Sequence, residues 1–317
     1  MNEVLFHIAF ILVLLVVALT VAGMLTWVER RLLALIQDRY GPNRVGPFGT
    51  LQLLADGIKL FMKEDWIPPF ADRALFVLAP TIILTTVLMS LAVVPFSPGW
   101  VVQPMDVGLL FFLGMSSLGV FSTALGGWAS NNKYALLGAL RSVAQMLGYE
   151  VFMGLSLMGV VTLAGSFDLY EIVEAQRGMW FIVPQFLGFL LFVVAGSAEA
   201  RRIPFDLPES ESELVAGFHS EYSGMKFGMF FVGEYLGLIL ISAMITVLFL
   251  GGWHGPLLPP IVWFLLKVFA LIFIFIVARG SLPRPRFDQV IDLGWKLMLP
   301  LSLLNLALTG AFVLAKG

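Results

Sequence analysis

The sequence predicts an all-α polytopic membrane protein of about eight transmembrane helices. An amphipathic helix on the cytoplasmic side and an acidic cytoplasmic loop complete one membrane domain over residues 1–317. Three observations carry this. The chain is 59% hydrophobic and only 13% charged, whereas a soluble domain is nearer a quarter charged. Several uninterrupted apolar runs reach the roughly 20 residues that a helix needs to cross a bilayer. The 31 Gly and 17 Pro are tolerable in such helices, where neighbours re-satisfy the freed backbone groups.

Taken in order, the spans are expected at residues 4–27, 75–94, 107–129, 142–164, 181–200, 227–250, 259–278 and 296–314. The first opens on Glu3 rather than a basic residue and outruns a signal-peptide core, so it reads as a span. Lys and Arg concentrate in four connections, 28–74, 130–141, 201–226 and 279–296. The other side has Arg177 and Lys316, while Lys267 lies inside a predicted span. The positive-inside rule makes those four connections cytoplasmic. An even number of spans then places both termini on the outer side of a bacterial inner membrane.

The connection 28–74 is too long for a plain turn. Its stretch 40–47 is punctuated by Gly41, Pro42, Gly46 and Pro47, which is turn chemistry. From residue 48 to 62, Leu51, Leu54, Ile58, Phe61 and Met62 recur at helical spacing, with Gln52, Asp56 and Lys59 between them. That pattern predicts an amphipathic helix lying in the membrane interface. A simple surface anchor is the plainer alternative.

Composition excludes several functions. A formal charge of −2 leaves no basic face for nucleic acid. With no Cys there are no disulfides, thiolate metal sites or protein-bound iron–sulfur clusters. His7, His219 and His254 lie too far apart in sequence to suggest a haem or zinc site. Any redox centre that this chain serves is therefore expected on other chains.

Acids are the informative residues. Asp206, Glu209, Glu211, Glu213 and Glu221 crowd the connection 201–226, and Glu199 and Glu234 continue the series into the spans on either side. Glu150 stands nine residues beyond Arg141, about 13 Å along a helix. Ionisable groups at membrane depth are costly and mark ion or substrate paths. Glu199 has Arg201 and Arg202 beside it, so an interfacial ion pair remains open there. Glu150 and Glu234 have no basic residue nearby in sequence. An isolated carboxyl in a low-dielectric site can hold a proton near neutral pH, and a water-bridged series of them forms a relay. Glu209 and Glu213 are four apart and would share a helix face, where mutual repulsion raises at least one pKa.

Around the first span's end, Glu29, Arg30, Arg31, Asp38 and Arg39 join Asp56, Lys59 and Arg279 as mixed charges about a cytoplasmic mouth. Topology accounts for Arg31 and Arg44; it does not account for Glu29. Phe227, Phe230 and Phe231 follow at helical spacing, either as packing or as walls for a flat aromatic or isoprenoid ligand.

Seven stretches, in the same order along nearly the whole chain, resemble the H-type membrane component of the proton-pumping NADH:quinone oxidoreductase, respiratory complex I. They are Glu29-Arg-Arg, the stretch from Gly41 to Pro47, Asp56-Gly-Ile-Lys59, the stretch from Gly127 to Tyr134, Pro204-Phe-Asp-Leu-Pro208, Glu221-Tyr-Ser-Gly224, and the stretch from Leu282 to Asp288. The resemblance implies an anchor for the peripheral redox arm and the membrane side of a tunnel for quinone, ubiquinone or menaquinone, as substrate. It matches Glu29, Arg30, Arg39, Asp56 and Lys59 to the tunnel mouth, and Phe227, Phe230, Phe231 and Arg279 to positions near the quinone path. Glu150, Glu199, Glu209, Glu211, Glu213, Glu221 and Glu234 match a carboxylate funnel coupling quinone reduction to proton translocation. NADH, FMN and iron–sulfur clusters then belong to partner subunits, alongside antiporter-like membrane subunits.

Two departures stand out. Some relatives carry an acid in the third span, and residues 107–129 have none, so a relay is expected to bypass it. Ser281 and Pro285 also vary the last motif. Two other readings remain: the homologous membrane component of an energy-converting hydrogenase or formate hydrogenlyase, and a proton-coupled secondary transporter. The absence of a clear repeat and the long cytoplasmic connections count against the transporter.

Overall fold

The computed structural model describes residues 2–208 and 214–316. Among these the regular structure is helical: α1 (Asn2–Ile36), α2 (Gln52–Met62), α3 (Arg73–Leu91), α4 (Gly108–Ala129), α5 (Lys133–Ala164), α6 (Leu169–Glu174), α7 (Phe186–Glu199), α8 (Gly224–Phe249), α9 (Pro260–Ser281), α10 (Phe287–Asp292) and α11 (Leu299–Lys316). A π-helical turn, Leu293–Met298, joins the last two into one rod. Seven helical segments are long and apolar enough to cross a membrane, and α7 is a shorter apolar eighth. An all-α polytopic membrane fold is therefore what the chain adopts.

The helix at the centre is α8. Apart from Lys226 and Glu234 in its first half its sequence is apolar all round, and 72% of its apolar window is buried by neighbouring helices. A helix without a polar stripe has to be enclosed on every side, and α1, α3, α7 and α9 enclose it. Small residues let the backbones close up, as membrane packing requires. A Cβ on Gly196 of α7 would stand 2.7 Å from Ile241 of α8. Gly138 of α5 likewise meets the turn Gly217–His219, where a Cβ would fall 2.8 Å from the Gly217 Cα.

Local signals place the ends. Asp72 caps α3 by accepting from the amides of Ala74 and Leu75 at 3.1 and 3.3 Å. Asn132 caps α5 through the Tyr134 amide at 2.9 Å, and Gly165, at φ 75°, ends it in the left-handed conformation that glycine permits.

Four expected boundaries move, one of them that of the eighth span, whose rod starts at Phe287 rather than near residue 296. The first span was expected to stop at Trp27, yet α1 runs on to Ile36, because its charged residues lie on inward and surface faces of one continuous helix. The fourth begins at Lys133 rather than near residue 142, reducing the preceding connection to a tight turn. The fifth shortens to Phe186–Glu199, starting after Pro184, which has no N–H to give to a helix interior. Its 14 residues span about 21 Å, so the turn before it completes the crossing. The amphipathic α2 exposes Leu54, Ile58, Phe61 and Met62, and none of its residues is buried. That suits a helix lying on a membrane surface.

Candidate functional site

Ionisable groups gather at the end of the bundle that carries α2. The last turns of α1 point Glu29 inward, where it is 4% exposed. It accepts from Arg202 Nη1 at 2.8 Å and is also ion-paired with Arg279 of α9. Arg202, 3% exposed, has a second carboxylate partner in Glu234 of α8 at 3.0 Å. Its guanidinium lies over the Tyr235 ring, 4.4 Å from the centroid. Burial alone would favour losing the proton, but Glu234 and Glu29 outweigh it and hold the Arg202 pKa above its ordinary value. Glu234 thus has a basic partner that sequence proximity did not indicate.

The segment after Arg202 is tied down in the same way. Asp206 accepts from Arg284 at 2.7 Å. Burial pushes its carboxyl above the usual range, although the Arg284 guanidinium pulls the other way. Gln145 of α5, fully buried, donates to the carbonyls of Ala198 and Phe205 at 3.1 and 2.9 Å, fixing this segment against the end of α7.

Beside this charged node lie Glu199, at the end of α7, and Glu150, midway along α5. Glu199 accepts from Ser116 Oγ of α4 at 2.7 Å, and its Oε2 is buried with no hydrogen-bond partner among the described residues. The ion pair left open for Glu199 falls instead between Arg202 and Glu234. Glu150 accepts from Ser117 Oγ at 3.2 Å, and its Oε1 is likewise buried and unpartnered. Because α5 starts at Lys133, Glu150 sits near the middle of a 32-residue helix, deeper than its spacing from Arg141 implied. Glu150 and Glu199 each approach a serine of the same turn of α4. A cavity of about 50 Å³ is lined by Thr86, Ser90, Ser116, Glu199, Arg201 and Glu234, among others. A water needs roughly 10–15 Å³ of such space and two or more polar partners, so several fit.

The other acids are placed apart. Glu221 accepts from the Asn132 side-chain amide at 2.6 Å, at the start of α5. Glu209, Glu211 and Glu213 lie outside the described residues.

At the outer rim, Asp56 of α2 joins Arg30 at 2.7 Å, Lys59 at 3.6 Å and Gln52 at 3.0 Å. Partial burial would raise its pKa, but the Gln52 hydrogen bond and the Arg30 and Lys59 charges leave it below its ordinary value. Arg30 and Arg39 border a cleft of about 280 Å³ with Tyr40 and Pro42. Lys59 and Phe227 border another of about 520 Å³ with Lys63 and Tyr222. Phe231 stacks on Phe227, with centroids 6.0 Å apart. Phe230 turns the other way, into Phe218 and Tyr222, and is packing.

A family profile described as NADH dehydrogenase matches residues 8–310. The chain belongs to that family. It is the family of the H-type membrane component of respiratory complex I, which makes the chain a membrane component of a multi-subunit oxidoreductase. In this member of the NADH dehydrogenase family, three side chains at the site escaped the sequence. Arg202 reads there as a topology charge and a candidate partner for Glu199, whereas its two acidic partners come from α1 and α8. Ser116 and Ser117 carry no signal at all, being small polar residues in a Gly-rich span. A search for hydroxyls at the register of the intramembrane acids would have been needed to find them.

Proposed function

We propose that this protein forms the membrane side of a quinone-access path and a carboxylate relay coupling quinone reduction to proton translocation. The observation that carries the reading is the shared cavity: Glu199 and Glu234, from separate helices, line one otherwise largely apolar space lying against the Arg202 node. Quinone enters beside α2, between the Asp56–Lys59 rim and the Phe227–Phe231 face, and is reduced at a centre on a neighbouring chain. FMN and the iron–sulfur clusters belong to partner chains, and NADH reacts there. A change of charge at the bound quinone alters the balance at Arg202, which Glu29, Arg279 and Glu234 share. Glu234, Glu199 and Glu150 then exchange protons inward, with Glu221 and the acids at 209, 211 and 213 feeding them. The α2 side faces the bacterial cytoplasm, where Lys and Arg concentrate, and both termini face outward.

Glu199→Gln and Glu234→Gln in the assembled complex test this. Each is expected to abolish pumping coupled to quinone reduction. Parental pumping in both variants would exclude the relay.

A further inference from the structure

We propose that Ser116 and Ser117 of α4 are positioning residues for proton exchange between Glu150 and Glu199. The inference rests on the relay reading and assigns to it a span that has no acid of its own. These consecutive side chains reach acids on two different helices: Ser116 donates to Glu199 of α7 at 2.7 Å, and Ser117 stands 3.2 Å from Glu150 of α5 and 3.1 Å from the Leu113 carbonyl, two acceptors that share its one hydrogen. Each hydroxyl occupies one oxygen of its carboxyl. In both acids the other oxygen, Glu199 Oε2 or Glu150 Oε1, stays buried and without a partner. A hydroxyl has a single hydrogen, so it can orient one oxygen and cannot satisfy both. The effect is to direct the available lone pairs of both acids away from α4.

A carboxylate taken out of water and given a single hydrogen bond is under-satisfied. The two donors are consecutive residues of α4, so both acids approach the same turn of that helix. A relay through this pair passes one proton at a time. When it moves, it leaves Glu150 Oε1 as that group ionises and arrives at Glu199 Oε2 as that group is neutralised. The pair's total charge is unchanged by the transfer, and any water that carries the proton is neither consumed nor formed. Adjacent positions on a helix do not face one another, so the two serines aim the acids separately and do not pass the proton between themselves. The third span, without an acid, takes part by fixing where the acids point.

The test uses the assembled complex and reads the infrared band of protonated carboxyl groups during quinone reduction. Ser116→Ala is expected to shift the Glu199 band, identified by its loss in Glu199→Gln. It is also expected to slow coupled turnover about threefold to tenfold, the worth of one hydrogen bond in a protonation equilibrium. Ser117→Ala should do the same to the Glu150 band. Ser116→Thr keeps the hydroxyl and should restore both readouts, while Ser116→Val, close to Thr in shape, should not. A fall in turnover with the bands unmoved would mean that the serines only pack, and would overturn the proposal. So would parental behaviour in both alanine variants when Glu199→Gln is inactive. Parental pumping in Glu199→Gln would instead remove the relay on which the proposal stands.

Discussion

Glu29 and Arg202 meet at 2.8 Å across 173 positions of sequence, both almost fully buried. Each also has a second partner of opposite charge, Arg279 for Glu29 and Glu234 for Arg202. The end of α1, the loop after α7, the start of α8 and the end of α9 are thereby held at one point.

Arg202→Leu should remove the shared cation and strand Glu234 without an ion-pair partner, since Glu29 keeps Arg279. Breaking a buried pair from one side costs about 3–5 kcal/mol, a large part of a membrane bundle's stability. The expected outcome is a sharp fall in thermal stability of the purified complex, or loss of assembly. Arg202→Lys should lose less but should not restore activity, because one ammonium cannot hold two carboxylates as the planar guanidinium does.

Asn132 has two tasks that substitution can separate. Asn132→Ala loses the cap on α5 and should cost about 0.5–2 kcal/mol. Asn132→Asp keeps a capping oxygen but faces Glu221 with a second acid where the amide now donates at 2.6 Å. It should therefore be less stable than its retained cap alone would allow, and melting curves of both variants against the parent would show the difference.

Lys267 stands in α9, at the end of the bundle opposite α2, and donates to the carbonyls of Leu250, Gly252 and His254 at 2.6, 2.9 and 2.7 Å. Lys267→Met should leave these acceptors without their donor, at about 1–3 kcal/mol for an unsatisfied buried group. Amide exchange should rise across the connection between α8 and α9 while α2 is unaffected.

His219 gives a pH dependence of fixed sign. Burial first, and the nearby Arg201 cation second, lower its pKa to about 4, against about 6.5 in an unfolded chain. Between these values the unfolded chain binds a proton that the folded one does not, so stability falls as pH falls through that window. Above it the contribution is constant. His219→Gln should flatten this part of the stability profile between about pH 7 and about pH 5, measured by thermal unfolding in detergent.

Much of the bundle was legible because hydropathy reports lipid contact directly: each apolar run became a helix, and α2 followed from its one-sided pattern. The ends of α1 and α5 were not, for one physical reason. Glu29, Arg30 and Arg141 look like loop residues in a linear reading, although a helix can turn such groups inward or toward the surface and continue. Among the acids, Glu150 and Glu234 stand out in sequence because they lie within apolar runs, and Glu199 because it ends one. Their partners were not legible, since Arg202, Ser116 and Ser117 reach them only through tertiary contact. Phe230 shows the converse, an aromatic at the right spacing whose ring is taken up in packing.

Lys267 has one more consequence. Its ammonium is held by three peptide oxygens, so the clasp between the end of α8 and the first turns of α9 does not depend on which side chains stand at positions 250 and 254.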